Sequence, residues 1–390
     1  MFLLPSCAIK KIYNPFKNFL MGEKQKILVI SDTFYPRRGG TEIIFLEVLK
    51  RLRRKFEIHV LASFYGIERE ENPQGMKIKR IKVRNRVLFT FLSLFKAVKH
   101  ARQASIIQTC ACFSAFSAFF LAKLFRKPCV LLVNGYFGKK WLKLRKFPLS
   151  LIYLFFESIL FSLPFAHFIV LSNAQKQKLV KFGIPESRIT VAHPGINAKL
   201  FRAVKVSRKN LLGVSKKTFV FCFFGRYDKQ KGIELLLSAA KMFFKRKRNA
   251  KLLLITEKDR VLPQIKKLKL EKFVILKDLM PQKELVRYLS ASDVIVIPSV
   301  AEPFGMVAAE SLALNKVVIT TGVDGLGEIV RNHGIIAKTP EEIASALEKC
   351  CELKENGRLK VNARSYVVKK FSWNKMAEKF ERVYGKILKS

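Results

Sequence analysis

Short, almost uniformly apolar runs alternate along this chain with longer stretches in which apolar residues recur every three or four positions. Runs such as K-I-L-V-I-S and F-V-F-C-F-F are too brief and too evenly apolar for amphipathic helices, and read as strands buried on both faces. In the first half, strands are expected over 26–31, 57–62, 78–83, 105–109, 129–133 and 167–171, with a helix over 41–54 and others between. In the second half, strands are expected over 219–224, 251–256, 273–277, 293–298 and 317–320, with helices over 233–245, 283–290 and 306–314. This alternation implies an α/β fold of parallel, doubly wound sheets, with ligands bound beyond the carboxyl ends of the strands. The pattern breaks at H-P-G-I-N-A-K-L-F, residues 193–201, where Pro194 and Gly195 punctuate the chain. The organisation read from it is an N-terminal extension (1–22), a first domain (23–197), a second domain (198–371) and a C-terminal helix (372–390) able to pack back on the first domain.

One segment needs separate treatment. Leu149 to Leu171 has the length of a membrane span, but Glu157, Pro164 and His167 interrupt it. Pro164 ends a helix there and leaves a strand behind it, so the reading is a buried or surface-inserted helix followed by a core strand. The first twenty residues lack a continuous apolar core with a small-residue cleavage site, which argues against a signal peptide. Met21 runs directly into a strand and offers a second start, leaving residues 1–20 as an upstream artefact or a peripheral anchor.

Composition adds two constraints. With 390 residues, 49% of them hydrophobic, the chain can bury a large core and is not disordered. Its 74 Lys and Arg against 29 Asp and Glu leave a formal charge of +45, which points to an anionic membrane surface, nucleic acid or an acidic polymer as partner, or to a general basic bias of its source. The seven cysteines (an odd number, with no C-x-x-C pair) sit mostly in apolar runs and read as reduced buried thiols of a cytoplasmic protein, not as a disulfide framework or a zinc site.

Four segments carry chemistry. In A-E-P-F-G-M-V-A-A-E-S, Glu302 and Glu310 lie on either side of a glycine turn where an expected strand hands over to an expected helix. Amides of the F-G-M stretch, Phe304, Gly305 and Met306, at such a helix start suit a diphosphate, and carboxylates accept hydroxyls, so the pair suits a ligand bearing both phosphate and sugar. The alternative is a solvated helix start with capping acids. In F-F-G-R-Y-D-K-Q-K-G, Arg226 and Lys231 flank the loop after a strand and could neutralise a leaving diphosphate, or be two solvated cations of a basic protein. Gly39 and Gly40, in P-R-R-G-G-T-E, stand at a helix start where amides can approach phosphate or sugar, or simply form a flexible loop. Asn134, after V-L-L-V, ends a strand on the cleft side, where it can orient a hydroxyl or close a turn.

Taken in order, these segments resemble the retaining glycosyltransferases of family 4, over nearly the whole chain after about residue 24; the strongest elements are G-R-Y-D-K-Q-K-G, P-S-V-A-E-P-F-G-M-V-A-A-E-S-L-A and G-V-D-G-L-G-E-I-V. The resemblance implies a GT-B fold, with two Rossmann-like domains facing a central cleft. It implies that Arg226 and Lys231 hold the nucleotide diphosphate, Glu302 the donor sugar and Glu310 the ribose, with the loop amides, extended to Val307, and Gly39–Gly40 near the donor phosphate. No metal or other cofactor is expected, and no D-x-D occurs. The chain departs from the family pattern at Asn134, where a His is common, at I-T-E-K-D-R, where a glycine-rich turn is common, and at the H-P-G-I-N hinge. His193 in that hinge reads as structural.

The expected activity is transfer of a hexosyl group, with retention, from a nucleotide-diphospho-sugar to a hydroxyl of a lipid-linked or surface polysaccharide acceptor. Basic and aromatic stretches in the first half, V-L-F-T-F-L-S-L-F-K-A-V-K and K-K-W-L-K-L-R-K-F, point to peripheral attachment at an anionic inner membrane face. The competing readings are a degenerate transferase fold that binds nucleic acid or an acidic polymer, and a nucleotide-sugar epimerase.

Overall fold

The computed structural model describes residues 24–37, 39–64 and 75–389. The N-terminal extension, the second start at Met21 and Cys7 lie outside the described residues.

The apolar runs form two wholly parallel sheets. The first contains β1 (Lys26–Ser31), β2 (Glu57–Ser63), β3 (Lys77–Ile81), β4 (Ile106–Cys110), β5 (Cys129–Val133), β6 (His167–Val170) and β7 (Ile189–Val191) in the order β3-β2-β1-β4-β5-β6-β7. The second contains β8 (Phe219–Phe224), β9 (Ala250–Ile255), β10 (Val274–Lys277), β11 (Val294–Ile297), β12 (Val317–Thr320) and β13 (Gly334–Ile336) in the order β10-β9-β8-β11-β12-β13. Each sheet reverses its strand order once, between β1 and β4 and between β8 and β11, and these are the crevices where ligands of doubly wound sheets bind. The central strands are largely apolar because helices cover both faces: every residue of β4, β5 and β11 is buried, and the two polar ones, Gln108 and Thr109 of β4, are hydrogen-bonded. At one edge of each sheet, β7 and β13 have three residues each and no periodic signal, so the sequence pattern misses them.

The two sheets share a core. Ile27, Val29 and Val60 of the first sheet and Ile295 and Ile297 of the second belong to one continuous apolar body, joined through Phe371, Phe380 and Tyr384 of the C-terminal helices. The last helix, Trp373–Lys389, buries Trp373, Met376, Ala377, Phe380, Val383 and Tyr384, a stripe at three- and four-residue spacing. That stripe faces the first domain: the Tyr384 hydroxyl donates to Gln108 Oε1 at 3.0 Å, and its ring meets Phe56 edge-on at 5.6 Å. The chain therefore crosses between the domains twice, and the crossings touch. Ile196 N donates to Phe371 O at 3.2 Å, and Gly195 lies so close to the backbone of Trp373 that a side chain there would collide with it.

The apolar stretch after Pro148 is a 14-residue helix, Leu149–Ser162, with β6 following it. Among the described residues no helix is long and apolar enough to cross a membrane.

Candidate functional site

The loops after β8 and β11 meet at the second sheet's strand reversal. Val300 N and Ala301 N donate to Gln230 O at 2.8 and 3.4 Å, which ties the loops together. Asp228 accepts from Gln230 N at 3.0 Å and shapes the turn Lys229–Lys231. That turn aims Lys231 at Glu302, with Nζ and Oε2 2.6 Å apart and both side chains mostly buried. Ser299 Oγ adds a long bond to the same oxygen at 3.5 Å. The two residues that the sequence suggests for diphosphate and sugar are thus joined as an ion pair. Arg226 is exposed, and its guanidinium makes no hydrogen bond or ion pair among the described residues.

Gly305 begins the helix Met306–Ala313 in the left-handed region, at φ 111°, and its missing side chain leaves room for Leu326, whose Cδ2 would lie 2.6 Å from a Cβ. No side chain caps this helix start, so the first-turn amides of Met306 and Val307 remain for an anion. Phe304 contributes backbone alone, because its ring is packed against His193 and Phe371. One turn further, Glu310 is buried and makes no hydrogen bond or ion pair among the described residues; burial pushes its carboxyl up to about 8. A buried carboxyl without a partner is costly and marks a place for hydroxyl donors.

The first domain meets this loop from the other side. Gly39 is the N-cap of the helix Gly40–Leu52, and a Cβ on Gly40 would lie 4.0 Å from Met306 Sδ, so the two glycines and the helix start face each other across the cleft. Asn134 does not project alone from its strand end: its Nδ2 donates to Thr41 Oγ1 at 3.0 Å, fixing the glycine pair relative to β5.

Several residues at the cleft went unassigned in the sequence. Asp324, at φ 49°, receives Lys178 at 2.8 Å and Lys140 at 3.2 Å from the first domain, and accepts from Glu302 N at 3.3 Å. Glu328 accepts from Ala174 N at 2.6 Å and Asn173 N at 3.1 Å, capping a first-domain helix, Asn173–Phe182, from the second domain. Burial raises the Glu328 carboxyl, but the bond to His193 and those amides outweigh it and hold it at about 2. Ser172 Oγ donates to Pro303 O at 2.7 Å beside them. The segment G-V-D-G-L-G-E-I-V signals both acids, but their first-domain partners come from residues more than 130 positions away. His193 lies in this hinge, 3.4 Å from Glu328.

A second surface lies on the first domain. The helix Leu149–Ser162 buries Glu157, which accepts the Phe137 and Gly138 amides at 3.0 and 2.6 Å, and exposes Leu149, Leu151, Ile152, Phe155 and Ile159. Phe156 packs on Phe113 and Phe116, linking it to the helix Ser114–Leu124, which in turn packs on Arg86–Lys96. These neighbours expose Val87, Leu88, Phe91, Phe95, Phe120 and Leu124. Phe95 and Phe155 are 76% and 69% exposed, and such rings grouped with other exposed apolar residues mark an interaction surface. Exposed Lys96, Lys99, Lys123, Lys143 and Lys146 edge the patch.

Comparison with known proteins supplies the context. Residues 207–381 match the family described as glycosyl transferases group 1, and residues 38–200 match glycosyltransferase family 4. An uncharacterised glycosyltransferase of Methanocaldococcus jannaschii is 26% identical over 92% of this chain and 97% of its own. A D-inositol 3-phosphate glycosyltransferase of Thermobispora bispora is 29% identical, but over 52% of each chain. Among solved structures, Anabaena HepE in complex with UDP and glucose superposes with a TM-score of 0.76 at 18% identity, over 93% of this chain and all of that one. A sucrose-phosphate synthase from Thermosynechococcus elongatus gives 0.78 at 20% identity, over 94% of this chain and all of that one. At these identities the structures speak for the fold, which is GT-B.

Proposed function

The chain belongs to the family 4 glycosyltransferases of GT-B fold, and from that premise we propose that it transfers a hexosyl group, with retention, from a nucleotide-diphospho-sugar to a hydroxyl of a lipid-linked or surface glycan. The observation that carries the reading is Glu310: a buried, unpartnered carboxyl one turn below an uncapped helix start, suited to a ribose diol beneath a diphosphate. Arg226, exposed in the loop after β8, is one cation for the diphosphate. Lys231 begins paired with Glu302 and is shared with the diphosphate when the donor arrives, so charge developing on the leaving group meets a cation already in place. Glu302, held by Lys231 and Ser299, positions the donor sugar; it is not assigned as a nucleophile. Gly39, Gly40 and the Phe304–Val307 amides line the donor phosphates, and Asn134 serves on the acceptor side through the helix it anchors. No metal is assigned to this step.

The apolar, lysine-edged face of the first domain supports work at an anionic bilayer, because aromatic and aliphatic groups enter the interface while lysines meet head groups. Flotation with anionic vesicles at low salt tests this, and protein left unbound overturns it. The activity is tested with a panel of nucleotide-sugars and a lipid extract, watching for free nucleoside diphosphate, a new glycolipid and its anomeric configuration. No turnover across the panel, with tight nucleic-acid binding at physiological salt, would instead favour the degenerate, polyanion-binding reading. A new epimer would favour the epimerase.

A further inference from the structure

At the first sheet's strand reversal, between β1 and β4, lies a cluster that sugar transfer leaves unused. Asp32 follows β1, Cys110 ends β4, and Cys112 lies two residues on. Read along the chain, C-A-C is a pair of buried thiols; the fold sets them against a carboxylate 80 residues away. The two Sγ atoms are 3.0 Å apart, Cys112 Sγ is 2.6 Å from Asp32 Oδ1, and Ser114 Oγ lies 3.3 Å from that oxygen and 3.2 Å from Cys112 Sγ. The three ligand-type atoms all fall within 4.8 Å of one another.

We propose that Asp32, Cys110 and Cys112 form a soft-cation site that holds one Zn²⁺ apart from the donor cleft. The donor set argues for the ion. Two sulfurs exclude calcium and magnesium, which take oxygen, and the added carboxylate favours zinc over copper(I). Bonds of about 2.3 Å to sulfur and about 2.1 Å to oxygen spread tetrahedral ligands to about 3.5–3.8 Å, so these atoms open slightly to admit the ion. Ser114 Oγ or a water completes four-coordination. Charge balances as well: two thiolates and a carboxylate face a dication and the Arg86 guanidinium, whose Nε is 3.4 Å from Asp32 Oδ2. Asp32 and Cys110 are fully buried and Cys112 is half-buried, so the ion enters past Cys112. Once bound, it staples the loop that leads to Gly39–Gly40 to the start of the helix Ser114–Leu124. Because the ion binds the folded state, it raises thermal stability by mass action.

The test uses the full chain, reduced and stripped with chelator, titrated first with Co²⁺ as spectroscopic probe and then with Zn²⁺. The expected result is one equivalent of Co²⁺ with a thiolate-to-cobalt charge-transfer band, displacement by Zn²⁺, and a melting temperature that rises with zinc. Cys112→Ser, a near-isosteric change at a half-buried loop position, should lose the band. Arg86→Gln should keep the band but weaken binding about 10- to 100-fold, as loss of an outer partner does. The proposal is overturned if the wild-type chain shows no charge transfer, or if Cys112→Ser binds Co²⁺ as the wild type does. It is equally overturned if mass spectrometry of freshly isolated protein finds Cys110 and Cys112 joined as a disulfide.

Discussion

Glu302 and Glu310 stand in one loop–helix segment but in opposite electrostatic surroundings. Glu302 is neutralised by Lys231 at 2.6 Å, whereas burial alone pushes the Glu310 carboxyl from 4.5 up to about 8. A ribose diol donates to the ionised form, so nucleotide binding releases a proton from Glu310. Nucleoside diphosphate affinity should therefore rise with pH through neutrality and level off above about 8, and Glu310→Gln should bind more weakly with that pH dependence flattened; calorimetry across this range reads both. Stability moves the other way. The folded carboxyl keeps a proton that the unfolded chain releases above 4.5, so folding weakens as pH rises from 4.5 to about 8, and Glu310→Gln should melt higher at alkaline pH. For the ion pair, Lys231→Ala should cost about 10²–10³-fold in transfer rate. Glu302→Gln should instead free Lys231, tightening nucleoside diphosphate binding while transfer falls, and equal losses in both would count against the sharing of Lys231.

Elements place these residues by glycine and by exposed apolar faces. Gly305 is required by its φ of 111° and by Leu326; Gly305→Ala should cost about 1–2 kcal/mol of stability and misplace the first-turn amides, seen as a lower melting temperature with weaker diphosphate binding. The helix Leu149–Ser162 buries Glu157 beside Leu160 and Phe161, and turns Leu149, Leu151, Ile152, Phe155 and Ile159 outward. Phe95→Asp with Phe155→Asp removes two largely exposed rings, so flotation with anionic vesicles should drop sharply with no change in melting temperature. The composition of this helix was plain in the sequence as a span-length apolar run broken by Glu157. Which of its faces turns outward was not, because the amides that draw Glu157 inward belong to the preceding loop at Phe137 and Gly138.

Across the whole molecule, the cleft is held by acids of the second domain reaching into the first. Glu328 caps a helix of the other domain, and Asp324 gathers Lys140 and Lys178. The Glu328 carboxyl is held at about 2, so the stabilisation it gives is present above its ordinary 4.5 and is lost as pH falls from there toward 2. Glu328→Gln should mimic that loss at neutral pH, with a lower melting temperature and a larger radius of gyration by solution scattering. These contacts were illegible in the sequence, since Glu328 and its amide partners are 154 and 155 residues apart and no local pattern couples them. The same holds for the pairing of Lys231 with Glu302, 71 residues apart, and of Asp32 with the C-A-C thiols. Local periodicity, by contrast, was enough for the central strands of the two parallel sheets, because strands buried on both faces must be largely apolar and their crossover helices must carry one apolar stripe. The sequence by itself thus determined all but the two shortest strands, the fold class and the residue types at each strand end. Tertiary structure alone decided which of those residues are paired, which stay buried without a partner and which apolar face meets solvent, because burial and electrostatics depend on distances that chain order does not encode.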